Sequence, residues 1–163
     1  MGRVFGEFKL GQRFETPGRT ITEADIAGFA GITGDYNPVH TDEAFARATG
    51  FGSRIAHGPM GIGIAFGLAS RLDLIDGTVV ALLGVTWDFK APMRPGDTIK
   101  ALIEVVETRD VKQPDHGLIG LTFIIVDETG KTLQEGSARL LMRRKQHEKA
   151  RWGVVESTDS AGR

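Results

Sequence analysis

The chain has four histidines and no cysteine, so proton transfer near neutral pH falls to His40, His57, His116 and His147. Thiolate nucleophiles, disulfides, iron–sulfur clusters and cysteine-ligated zinc are excluded. His116 sits in a polar loop and His147 in the C-terminal tail. His40 closes the segment Gly34-Asp35-Tyr36-Asn37-Pro38-Val39-His40, where Pro38 pushes Asn37 out of the α region and stiffens an irregular loop. A carboxylate and an imidazole on such a loop can converge on one small volume and share a water, which is what general acid–base chemistry requires. Asn37 can lock the loop by hydrogen-bonding its own backbone. The same residue types also make an ordinary turn whose histidine caps the next helix.

A second signal lies downstream. Ala56-His57-Gly58-Pro59-Met60 places free backbone N–H groups and a positive helix end at a glycine, where a carbonyl oxygen can approach unhindered. That is an oxyanion-hole arrangement as well as an ordinary helix start. Asp35, His40, Asp42 and His57 are metal-compatible types, but no His-x-x-x-His or Glu-x-x-His spacing occurs, and no metal is expected. There is no Gly-x-Ser-x-Gly elbow and no phosphate-cradling loop of the Walker or Rossmann type.

The elements that must position these residues follow from periodicity. Thr22-Glu23-Ala24-Asp25 reads as a capping box, followed by Ile26, Phe29 and Ala30 at helical spacing until Gly31 and Gly34. One short helix is expected after Pro38, capped by Thr41 or Asp42 and ended near Gly50. A third starts with Pro59 at its first position, with Met60, Ile64 and Leu68 on one stripe and Gly63 and Gly67 on another. Glycine costs a helix about 1 kcal/mol relative to alanine, so a helix carrying Gly61, Gly63 and Gly67 forms only against tertiary packing, as inside a curved sheet. The first half thus reads as helices and loops. The second reads as strands over 79–89, 98–107, 118–126 and 132–142, with Asp127-Glu128-Thr129-Gly130 as a hairpin turn. Helices followed by adjacent strands argue for an α+β fold with an antiparallel sheet.

At 163 residues, 40% apolar and 25% charged, with a formal charge of -1, the chain fits one ordinary globular domain and shows no basic face for nucleic acid. Its 22 glycines exceed the usual share of about 7%, and many lie inside apolar segments, where a glycine marks close approach of backbone or ligand. The N-terminus has no signal-peptide stretch, and the longest uncharged run, 58–70, is too short to span a bilayer. A cytoplasmic protein is expected, with its domain over 1–145 and a polar, partly disordered tail over 146–163.

The string ITEADIAGFAGITGDYNPVHTDEAFARATGFGSRIAHGPMGIGIAFGLAS, with the later VTWDFKAPMRPGDTI, resembles the MaoC-like dehydratase family, also called the R-specific enoyl-CoA hydratase or hydratase 2 family. The likeness covers about residues 10–143, and the combination of Asp-x-Asn-Pro-x-His with a later His-Gly and a glycine-rich helix is specific. It implies a single hot-dog domain, an antiparallel sheet wrapped around a central glycine-rich helix. It also implies a homodimer or dimer of dimers that binds an acyl-CoA thioester, with neither nucleic acid nor membrane as partner and no cofactor beyond the CoA of the substrate. By position, the family's catalytic aspartate falls on Asp35 and its histidine on His40. Asn37 falls on the asparagine that supports the loop, and Gly58 on the glycine whose N–H faces the thioester oxygen. His57, Pro59, Met60 and Gly63 are expected to contact substrate, and Arg54 and Arg94 to meet CoA phosphates. The implied reaction is reversible hydration of a trans-2-enoyl-CoA to a (3R)-3-hydroxyacyl-CoA. Some members carry a hydroxyl residue early in the central helix, where this chain has Gly61 and Gly63. The rival readings are a hot-dog thioesterase and a non-catalytic acyl-CoA-binding subunit.

Overall fold

Four long strands carry the architecture, and their alternating residues explain why a helix lies on one face. In a computed structural model that describes residues 1–145, the chain forms β1 (Arg13–Glu15), β2 (Arg19–Thr20), α1 (Glu23–Thr33), α2 (Pro38–Thr41), α3 (Glu43–Arg47), α4 (Gly58–Ser70), β3 (Val79–Phe89), β4 (Thr98–Asp110), β5 (His116–Asp127) and β6 (Thr132–Arg143). The polar tail expected over 146–163, with His147, lies outside the described residues. All strand pairs are antiparallel, in the order β1-β4-β5-β6-β3, with β2 also pairing β4.

Ile99, Ala101, Ile103 and Val105 of β4 alternate into the core, joined by Ile119, Leu121, Phe123 and Ile125 of β5 and by Ala138, Leu140 and Met142 of β6. Against this face α4 buries Met60, Gly61, Ala65, Leu68 and Ala69. Ile64, expected on the same stripe, is only half-buried, while Gly63 and Gly67 face outward. The packing against β4 and β5 supplies what a glycine-bearing helix lacks on its own.

Four expectations need correction, the simplest being that His116, expected in a polar loop, opens β5 and pairs with Arg143. The first half is not only helices and loops, because β1 and β2 add to the β4 edge. At three and two residues they are too short to show a period, and pairing with β4 fixes them instead, with Arg13–Glu104 across from β1 and Thr20–Thr98 across from β2. The single helix expected after Pro38 is two, since Asp42 adopts an extended backbone (φ -120°) and its carboxylate accepts the Phe45 N–H to start α3. Helix α4 begins one residue early, at Gly58, so His57 is its N-cap and Pro59 takes the second position. The hairpin turn forms as expected, with Gly130 at φ +85° and Asp127 accepting from Thr129 and Lys131. Among the described residues no helix is long and apolar enough to cross a membrane.

Candidate active site

Thr22 caps α1 by accepting the Asp25 N–H, and Gly34 ends it in the left-handed region (φ +75°), turning the chain into the Asp35 loop. Four short-range contacts then stiffen that loop. Asp35 Oδ1 accepts the Asn37 N–H at 3.2 Å, Asn37 Oδ1 accepts the Val39 N–H at 3.3 Å, and Thr41 Oγ1 donates to the carbonyls of Tyr36 and Asn37. Asn37 therefore locks its own turn and starts α2, as the sequence suggested.

Both histidines are oriented by backbone carbonyls. A carbonyl oxygen only accepts, so His40 Nδ1 carries a proton and donates to Ile55 at 2.8 Å, and His57 Nε2 donates to Asp35 at 2.9 Å. In the neutral rings this leaves lone pairs on His40 Nε2 and His57 Nδ1. The two imidazoles stack with centroids 3.8 Å apart and planes at 28°, and Phe29 packs on the far side of His57 at 5.0 Å. Asp35 is exposed, His40 half-buried, and His57 only 1% exposed, with its Nδ1 lacking any hydrogen-bond partner among the described residues.

A ligand atom from each of Asp35, His40 and His57 lies within 4.8 Å of the others, the set among the described residues most able to hold a metal.

His40 opens onto a cleft of about 310 Å³ whose walls include Gly58, Phe89, Met93 and Gln134. The Gly58 N–H at the start of α4 has no partner among the described residues, so it is a free donor at the positive end of a 13-residue helix. A side chain at 58 would press on Phe89, whose ring carbons would lie 3.1–3.4 Å from its Cβ. The structure thus brings Asp35, Asn37, His40, His57 and Gly58 to one place.

The other expected contacts are dispersed. Met60 and Gly63 line a separate, larger cleft of about 550 Å³ between α1 and α4, with Phe29, Ile32 and Ile64. Pro59 lines neither cleft. Arg54 is clasped by Glu23 and Glu43. Its backbone N–H and guanidinium, with Arg47, hold the Glu43 carboxyl below the usual carboxylate range. The Arg94 guanidinium donates to Ser53 Oγ and to the Phe51 carbonyl and has no carboxylate partner among the described residues, so its charge is the less committed of the two.

Two lining residues went unread in the sequence. Phe89 is 53% exposed at the end of β3 yet lies against Gly58, and Gln134 is 2% exposed, with its Nε2 donating to the Gly58 carbonyl at 3.1 Å. The available signal for Gln134 was an amide followed on the same face by Gly136, Ala138, Leu140 and Met142, all apolar or glycine.

Comparison with known proteins follows the same outline. The family described as MaoC like domain matches residues 7–124. A 3-hydroxybutyryl-CoA dehydratase from Methylorubrum extorquens is 43% identical over 90 residues, and the match spans 55% of each chain, so just over half the length of that relative is represented here. Among solved structures, the unliganded R-hydratase PhaJ1 from Pseudomonas aeruginosa superposes with a TM-score of 0.74 at 31% identity, covering 87% of this chain and 86% of the other. A conserved Mycobacterium tuberculosis protein described as a double hotdog fold superposes with a TM-score of 0.79 at 25% identity, covering 94% of this chain and 47% of that one. The sheet with α4 on its concave face is the hot-dog fold.

Proposed function

The chain belongs to the MaoC-like domain family, and on that premise we propose that it catalyses the reversible hydration of trans-2-enoyl-CoA to (3R)-3-hydroxyacyl-CoA. The observation that carries the reading is the pairing of two committed groups across one cleft. His40 donates through Nδ1 to Ile55 and so offers the Nε2 lone pair, and Gly58 offers an unpaired N–H. Asp35 and His40 hold one water. Its oxygen adds at the β-carbon of the enoyl group, its proton passes to the Asp35–His40 pair, and a proton reaches the α-carbon. The thioester oxygen carries enolate charge in the transition state, and the Gly58 N–H faces it. A donor of this kind lowers such a barrier by about 3–4 kcal/mol. Asn37 holds the loop, and the proposed chemistry uses neither a metal nor a redox cofactor.

The substrate brings an acyl-CoA, and two copies of the chain pair through β3. This strand has no neighbour beyond β6 among the described residues and exposes Val80, Leu82, Leu83, Val85 and Phe89 along the sheet edge.

The test is loss of enoyl-thioester ultraviolet absorbance with crotonyl-CoA and longer enoyl-CoAs, with free thiol followed in parallel. Loss without thiol release, reduced about 10²–10⁴-fold in both Asp35→Asn and His40→Ala, is the expected result. Thiol release instead would make the protein a thioesterase, and silence at every chain length would remove the hydratase reading.

A further inference from the structure

Helix α4 starts without a side-chain cap, because the ring of its N-cap residue, His57, is turned to Asp35. Its first turn is weakly determined by sequence. Gly58 and Gly61 have no side chains, and Pro59 has no N–H. Among the described residues, one side-chain hydrogen bond reaches the backbone of this turn, from Gln134 Nε2 to the Gly58 carbonyl. Resting on the hydratase reading, we propose that Gln134 is a positioning residue: it fixes the Gly58 peptide so that the neighbouring N–H points at the thioester oxygen.

Three observations meet here. Gln134 is 2% exposed in a row whose deeper members, Ala138, Leu140 and Met142, are apolar, and a buried amide is unfavourable unless paired. It is paired on both sides: its Oε1 accepts the Trp87 indole N–H at 2.9 Å while its Nε2 donates to Gly58, and because a carbonyl oxygen only accepts, the bond to Gly58 itself selects the orientation that presents the donor. Gly61 leaves the space this amide occupies. A Cβ there would fall 2.3 Å from Gln134 Oε1 and 2.7 Å from its Cδ and Nε2. An alanine would favour the helix, yet it would push the amide from its place.

The experiment compares Gln134→Leu with Trp87→Phe, which removes the far bond of the same amide and leaves the one to Gly58. Gln134→Leu is expected to lower kcat for crotonyl-CoA about 30-fold, part of the 10²–10³-fold that deletion of an oxyanion donor brings, with KM within about threefold. Gly61→Ala is expected to reproduce that loss. Trp87→Phe is expected to keep kcat within about threefold, even where its thermal midpoint falls as far as that of Gln134→Leu. A second readout needs no turnover: the ultraviolet band of the acetoacetyl-CoA enolate, which a donor aimed at the thioester oxygen strengthens, is expected in the wild type and in Trp87→Phe and weakened in Gln134→Leu. Equal losses in Gln134→Leu and Trp87→Phe, or a Gln134→Leu protein that keeps both kcat and the band, would overturn the proposal. A wild type that raises the band but hydrates no enoyl thioester removes the hydratase reading and leaves the positioning role standing. A wild type that does neither overturns both.

Discussion

His57 joins the two members of the site, and replacing it separates its catalytic role from its contribution to stability. His57→Leu deletes the bond to the Asp35 carbonyl, worth about 1 kcal/mol net, and the ring contacts with His40 and Phe29, worth about 0.5–1.5 kcal/mol. It also removes a buried Nδ1 that has no partner among the described residues, an atom whose desolvation costs about 1–3 kcal/mol. The terms cancel to within about 1 kcal/mol, so the thermal midpoint should move by no more than about 4 °C. Activity has no such cancellation. Without the His57 donor the exposed Asp35 carbonyl turns to water, the carboxylate loses its register with His40, and kcat falls about 100-fold, the scale of a misplacement near 1 Å. His57→Gln, whose amide N–H reaches about as far as Nε2, should recover kcat to within about fivefold of wild type. The assay is the enoyl-thioester absorbance beside a thermal melt. A leucine variant with kcat within threefold of wild type, or a glutamine variant no better than leucine, would refute the reasoning.

Four other expectations follow from the same geometry. Gly63→Ala should raise stability by about 1 kcal/mol, because nothing lies within 4 Å of its Cβ and alanine favours a helix interior. Gly136→Ala should lower stability by about 1–3 kcal/mol, because its Cβ would fall 2.2 Å from the Trp87 ring and 2.5 Å from the Thr86 carbonyl; denaturant melts check both signs. Burial alone would raise the Asp25 carboxyl, but the Thr22 N–H and hydroxyl and the Arg19 guanidinium outweigh it and hold the group below the usual range. Its stabilisation is therefore complete above about pH 3.9 and lost as pH falls through the lower folded value. Asp25→Asn should lose less stability than wild type between pH 5 and the acid limit, read as thermal midpoint against pH. Leu82→Lys on the β3 edge should convert a dimer to monomers in sedimentation equilibrium, and a wild type that sediments as a monomer would remove the pairing.

What the sequence disclosed about the site was local in the chain. Asp35 and Asn37 are held by contacts two to five residues apart, and a proline with its flanking turn residues writes that geometry directly. β4 was legible because it buries every second residue from Ile99 to Val105, and β3, β5 and β6 because they are long, apolar-rich runs bounded by turn residues. β1 and β2 were not, because strands that short take their structure from the neighbour they pair with. Helical spacing put Met60 and Gly63 on the central helix but could not say which cleft they line, since that depends on α1, which lies over the same helix.

The residues hardest to read are those that tie the site to the sheet. Gln134 and Gly58 are 76 positions apart, and Trp87 and Gln134 are 47 apart, so neither bond leaves a local pattern. A one-residue slip of β6 against β5 would turn Gln134 itself away from Gly58, since side chains alternate between faces. The donor end of α4 thus depends on strand pairing in the sheet, while the Asp35 loop is held by its own turn and by His57. A lesion in the β5–β6 register should therefore loosen Gly58 and leave the His40–Ile55 and His57–Asp35 bonds in place. On the proposed mechanism, the donor to the thioester oxygen rests on Gln134 in the sheet, and the water-activating pair on the Asp35 turn and its bond to His57.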